Sequence, residues 1–172
     1  DLCWDGDFKN SSWLFSSTSG STGKPFYFPR KNEQNLQYAL TAELYLRENF
    51  QIQNKSTLYL NCFALGVWIG GLFTYDALRL VVEKRNYNLT IVNPGTNSTE
   101  AIKTLENLGE KFEQVIIGGY PPLVKDLVDS MIDYGLDLSR YNLKFIFSAE
   151  AFTEKFRDYI AEKAYLKDIN KD

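Results

Sequence analysis

Residues 114–122 read QVIIGGYPP, and this stretch decides the fold. Gln114–Gly119 is a short apolar run bounded by glycines, which is the pattern of a strand. YPP makes a turn, and Leu123–Tyr134 follows as a helix with proline near its start. Strand, tight connection and helix together make one βα unit.

The same unit recurs outward from it. "NLTIVNPG" (88–95) is a strand ending at an Asn-Pro-Gly turn. Asn97 and Glu100 then form an Asn variant of a capping box for a helix carrying Ile102, Leu105 and Leu108, which Gly109 stops. "STLYLNCF" (56–63) is a strand, "LGVWIGG" (65–71) a glycine-flexed loop, and Leu72–Arg85 a buried helix with Leu72, Leu78, Val81 and Val82 apolar. Lys31–Asn49 is free of proline and glycine, and places Leu36, Ala39, Leu40 and Leu44 on one apolar stripe. "WLFSS" (13–17) and "FYFPR" (26–30) are strands flanking a Ser/Gly loop. "NLKFIFSAE" (142–150) is the last strand, and Thr153 caps a helix to about Tyr165, with Glu154 in its first turn. The fold class expected is α/β, a mainly parallel sheet flanked by helices in one domain spanning 1–172. Such sheets bind ligands beyond the carboxyl ends of their strands. That directs attention to "NCFALGVWIGG", "VNPGTNS", "IGGYPP" and "FSAEAFT".

Composition narrows the chemistry. The chain has 172 residues, 44% hydrophobic, with net charge −3 and a pI of about 5.1. No basic patch suggests nucleic acid, and no apolar run is long enough to span a bilayer. Cys3 and Cys62 form neither a disulfide framework nor a metal-ligand spacing, which favours a reducing compartment; cytoplasmic residence is expected. The Asn-x-Ser/Thr triplets at Asn10, Asn54, Asn88 and Asn97 read as chance matches in an Asn-rich chain. Histidine is absent, which removes histidine triads, bases and metal ligands. Chemistry must come from hydroxyls, carboxylates, Lys/Arg or backbone amides. The tail "LKDINKD" ends without turn or cap, so the chain reads as cut from a longer protein.

The loop "SSTSGSTGKP" (16–25) concentrates six hydroxyl residues, two glycines and a lysine. A P-loop does not fit. Aligned on Gly23-Lys24, the motif needs glycine where Thr18 stands and Ser/Thr where Pro25 stands, and a strand follows instead of a helix. A mobile loop that wraps a phosphate chain does fit. Glycines allow the backbone to present N–H donors, Ser19, Ser21 and Thr22 add hydroxyls, and Lys24 adds positive charge. A plain hairpin connector is the other reading, with Lys24 a solvated loop lysine.

"TSGSTGKP" resembles the phosphate-loop signature of the adenylate-forming superfamily, [ST]-S-G-[ST]-T-G-K-P, at every position. The order of "SSTSGSTGKP", "GVWIGGLFTYDALRL", "IIGGYPPLVKDL" and "FIFSAEAFTEKFRDYI" is similar to the phenylacetate–CoA ligase family and to related capsule-biosynthesis adenylating proteins, over about Ser16–Ile160. The resemblance implies part of the large N-terminal domain of such an enzyme, with the C-terminal portion absent. It implies ATP-dependent conversion of a carboxylic acid to an acyl-adenylate, then transfer to coenzyme A or another thiol. It assigns Thr18, Ser19, Gly20, Ser21, Thr22, Gly23 and Lys24 to ATP phosphates, with Thr22 and Lys24 in catalytic roles. The family's adenine segment, GAEP, stands here as SAEA: Ser148, Ala149, Glu150 and Ala151, departing at the first and last positions. Glu150 also reads as a helix-entry carboxylate near Thr153. The acyl pocket is assigned to Trp68, Gly70, Gly71, Gly119, Tyr120 and Pro121, an aromatic wall beside glycines that make room; Trp68 reads equally as core.

The family's Mg²⁺-binding glutamate, ribose-binding aspartate and adenylation lysine have no counterpart in this sequence. The Mg²⁺ ligand is therefore expected outside this chain, with none within it. The chain by itself is expected to be inactive, and the full-length protein to form a homodimer. The alternative is a non-catalytic nucleotide-binding or interaction module on the same fold.

Overall fold

The structure, a computed structural model, describes residues 12–18 and 23–165. It opens with an antiparallel hairpin, β1 (Leu14–Ser17) and β2 (Tyr27–Arg30). Then follow α1 (Asn32–Phe50), β3 (Thr57–Asn61), α2 (Ile69–Glu83), β4 (Leu89–Val92) and α3 (Ser98–Leu108). The chain continues with β5 (Gln114–Gly119), α4 (Pro121–Asp133), β6 (Leu143–Phe147) and α5 (Glu154–Lys163). The main sheet runs β4-β3-β5-β6 with every pair parallel. The fold is α/β, as the sequence predicts.

Every residue of β3 and of β5 is buried, because both strands are central and covered on both faces. Alternation sorts their side chains. Leu58, Leu60, Val115 and Ile117 join α3, α4 and α5 on one face, while Tyr59 and Ile116 meet α1 and α2 on the other. Each fully buried aliphatic side chain contributes about 1.5–3 kcal/mol. The predicted caps form: the Asn97 side chain accepts the Glu100 N–H at 3.2 Å, and Thr153 accepts the Phe156 N–H at 3.3 Å.

Four local expectations change. Of the expected stripe only Ala39 is buried; Leu36, Leu40 and Leu44 face outward, with Leu40 54% exposed, and α1 buries the row of Asn35, Ala39, Glu43 and Leu46. Those two rows lie about 100° apart on a helix, and packing against α2 selects the second. The loop 65–71 ends early, because α2 starts at Ile69 and takes Gly70 and Gly71 into its first turn. The proposed YPP turn is likewise absorbed: Pro121 begins α4, where a missing N–H costs nothing. Gly109 does follow the last residue of α3, as expected, but with a right-handed backbone, φ −54°, in place of the left-handed turn of a glycine cap. A Cβ there would sit 2.7 Å from the Tyr141 ring, so its smallness serves packing.

Candidate functional site

The strand order changes direction between β3 and β5. From β3 the chain crosses to β4 on one side, and the next strand, β5, pairs on the other. In parallel sheets this switch leaves a crevice beyond the strand ends. A cavity of about 590 Å³ lies on the α1/α2 side of the sheet, over Tyr59 of β3 and reaching Phe63 after β3 and Ile146–Ala149 at the end of β6. Its wall is largely apolar, with the aromatic side chains of Tyr38, Tyr45, Tyr59, Phe63, Phe73 and Phe147 contributing. Apolar walls with few polar groups are the usual make-up of a small-molecule pocket. Burial pushes the Tyr59 phenol well above the ordinary tyrosine range, so it stays a neutral lining group.

Of the residues expected at a ligand, the cavity gathers Gly70, Ser148 and Ala149. Ala149 has φ 79°, a left-handed backbone rare for a residue with a Cβ. The turn it makes lies just beyond β6, where the Ser148 N–H still reaches the Gly119 carbonyl at 3.4 Å. Glu150 does not cap α5 with its side chain. Its carboxylate accepts a hydrogen bond from the Tyr120 hydroxyl across the ends of β5 and β6, and the α5 cap is made by Thr153 alone. That bond, then burial, then the Glu150 charge hold the Tyr120 phenol above its ordinary pKa. Ala151 is exposed beside it.

The glycines expected to make room for an acid make room mostly for the protein. A Cβ on Gly71 would sit 2.7 Å from the Ala64 carbonyl carbon and closer still to its oxygen; one on Gly119 would sit 2.6 Å from Val124. Only ordinary contact, 3.5 Å to the Phe63 ring, meets a Cβ at Gly70. Pro121 is buried at the start of α4, and neither it nor Gly119 or Tyr120 lines the cavity. Trp68 precedes α2 and forms a parallel bridge with Ser17, backed by the Ser17 N–H to the Val67 carbonyl at 2.9 Å. Trp68 is thus neither core nor cavity wall, but the place where the hairpin docks.

That docking joins Ser17, next to Thr18, to the segment leading into α2, whose first residue, Ile69, lines the cavity. The loop closes where the Thr18 N–H meets the Phe26 carbonyl and the Phe26 N–H meets Thr18 Oγ1, both at 3.0 Å. Gly23, with φ 150°, and Lys24 are exposed in it. Ser19, Gly20, Ser21 and Thr22 lie outside the described residues.

Sequence reasoning missed the cavity's other walls. Tyr38 and Tyr45 stand seven apart on α1, a spacing that places them on one face away from the leucines, but only packing shows that the face looks into a cavity. Cys62, 4% exposed, is pushed up to about 12 by burial and is no nucleophile at neutral pH. Among the described residues no three carboxylates or thiols converge on a metal position, and no helix is long and apolar enough to cross a membrane.

No family model matches the chain, and no curated protein does. Solved structures do match. The crystal structure of an open conformation of 2-hydroxyisobutyryl-CoA ligase in complex with 2-HIB-AMP and CoA is similar at a TM-score of 0.66 and 15% identity, covering 90% of this chain and 34% of that one. The same ligase in the postadenylation state with 2-HIB-AMP gives 0.66 and 17%, covering 90% and 31%. In the thioesterification state with 2-HIB-AMP and CoA it gives 0.68 and 19%, with the same coverage. This chain has the fold of part of a CoA ligase. At these identities the likeness is one of fold, and the chain spans about a third of the length of the ligase chains it matches.

Proposed function

We propose that the chain supplies the phosphate loop, part of the adenine site and part of the acyl pocket of a longer ATP-dependent acid-activating enzyme. In this reading the carboxylate of a small acid attacks the α-phosphate of ATP, forming an acyl-adenylate and releasing pyrophosphate. A thiol, coenzyme A foremost, then takes the acyl group and releases AMP. The observation that carries the reading is spatial. One apolar cavity reaches the Ser148–Ala149 turn after β6, and β1 of the hairpin that carries the TSGSTGKP segment is bridged at Ser17–Trp68 to the residue just before Ile69, a lining residue of that cavity. The 2-hydroxyisobutyryl-CoA ligase structures, which hold 2-HIB-AMP and CoA on the same fold, support it.

The parts divide by chemistry. The glycine loop, with Thr18, Gly23 and Lys24 at its described ends and Ser19, Gly20, Ser21 and Thr22 between them, holds the β- and γ-phosphates. Open backbone N–H groups and a lysine suit that charge. Ala149, in a left-handed backbone conformation, lines the cavity just after β6 and is assigned to the adenine. The aromatic wall suits the apolar part of an aryl or other small acid. The carboxylate for the Mg²⁺ that accompanies ATP is assigned to the part of the enzyme outside this chain.

The test is acid-dependent exchange of pyrophosphate into ATP by the full-length protein, with a panel of aryl and short aliphatic acids. Exchange stimulated by an acid, and lost in Lys24→Ala with an unchanged melting temperature, is the expected result. No exchange with any acid, together with undiminished Mg²⁺-ATP binding in Lys24→Ala, removes the phosphate-loop role.

A further inference from the structure

Arg30 closes β2, is only 7% exposed, and has no carboxylate within ion-pair distance among the described residues. Such a placement is costly for a cation unless its position is used. Its Nη1 donates to Ser16 Oγ at 2.7 Å, across the hairpin and two residues before the glycine loop begins. Its guanidinium also lies 4.5 Å from the centre of the Phe73 ring on α2. Phe73 is a wall of the aromatic cavity, and Tyr38 stacks on the same ring at 4.1 Å and 12°. Among the described residues Arg30 Nε is buried without an acceptor; Ser16 and the Phe73 ring are the direct contacts of the group, and the Asp76 carboxylate on α2 attracts it electrostatically without reaching ion-pair distance. A planar guanidinium can stack and donate at once, which a lysine ammonium cannot.

We propose that Arg30 is a positioning residue that ties the glycine loop to the cavity wall, so that the packing of Phe73 bears on how the loop holds phosphate. The tie runs Phe73 ring, Arg30 guanidinium, Ser16 hydroxyl, β1, loop. A ligand that presses on Phe73 moves the guanidinium, and the guanidinium carries Ser16 with it. The part concerning phosphate rests on the proposed function; the mechanical tie does not.

Hydrogen exchange read by mass spectrometry, on full-length wild type, Arg30→Gln, Arg30→Lys and Phe73→Leu, tests the tie. Peptides covering the hairpin are expected to exchange at least ten-fold faster in Arg30→Gln and Phe73→Leu, and by an intermediate factor in Arg30→Lys, while β3, β5 and α4 peptides keep their rates. Hairpin rates equal to wild type in both Arg30→Gln and Phe73→Leu overturn the proposal, as does equal acceleration everywhere, which marks a general loss of stability. Calorimetry with Mg²⁺-ATP then separates the two readings. The affinity is expected to fall at least ten-fold in Arg30→Gln and Phe73→Leu. If wild type binds and both variants bind as tightly, the tie does not reach the loop and the proposal fails. If wild type binds no Mg²⁺-ATP while the hairpin responds as expected, the nucleotide reading fails and the tie stands.

Discussion

The hydroxyl of Tyr120 donates a hydrogen bond to the carboxylate of Glu150, joining the segment after β5 to the segment after β6. The two residues are 30 apart in sequence and meet only because β5 and β6 are parallel neighbours. The bond favours a neutral phenol beside a charged carboxylate, so the Tyr120 pKa is raised. A raised folded-state value contributes stability that is whole below the ordinary tyrosine pKa of about 10 and is lost as pH rises through the folded value. Tyr120→Phe is therefore expected to lower the melting temperature at pH 8 slightly. The gap to wild type should close above pH 10. A gap independent of pH up to 11 contradicts the assignment.

Gly70 and Gly71 are adjacent and expected to respond in opposite ways. Gly71→Ala drives a Cβ into the Ala64 backbone carbonyl and should cost about 1–3 kcal/mol or more, as overpacking against an immobile group does. Gly70→Ala places its methyl at ordinary distance from Phe63, should fold normally, and should shrink the cavity. Chemical denaturation of the two variants decides this; equal midpoints would show that α2 does not start where described.

The leucines of α1 give a second contrast. Leu46, 2% exposed, should cost about 2–5 kcal/mol on truncation to alanine. Leu40→Ser, at a position 54% exposed, should stay within about 0.5 kcal/mol of wild type in the isolated chain. Comparable losses at both positions would mean that the outward stripe is covered in solution.

Glu43 is 7% exposed and accepts from Lys84 and, at 2.6 Å, from the Tyr87 hydroxyl. Burial alone would raise its pKa, but the hydrogen bonds from Lys84 and Tyr87 override it and hold the carboxyl below the usual glutamate value. A lowered folded-state pKa contributes stability above the unfolded value of about 4.5 that is lost as pH falls through the folded value. Glu43→Gln should cost about 1–3 kcal/mol at pH 7, since a buried hydrogen-bonded charge is replaced by an amide. Its acid-denaturation limb should also be shallower than wild type. Identical limbs would remove Glu43 from the acid response.

Local signals were legible wherever the chemistry is local. Asn97 and Thr153 cap their helices because a side-chain oxygen needs only the N–H three residues on. The strand 114–119 was legible because an apolar run between glycines has few other uses. The α1 stripe misled because Leu36, Leu40 and Leu44 satisfy helical spacing as well as the row that is buried. Periodicity identifies a face without saying what faces it.

The amino-acid sequence by itself determined the order of strands and helices, the caps, and a loop whose hydroxyls, glycines and lysine suit a phosphate chain. Those features depend on residues a few positions apart. Only the tertiary structure decided which glycines leave space, since Gly71 is filled by Ala64 and Gly70 is not. It also decided that Tyr38, Phe73 and Ala149 share a cavity, and that Arg30 lies between Ser16 and Phe73. Close packing of distant segments sets each of these, and no spacing within one segment encodes what an atom from another will occupy.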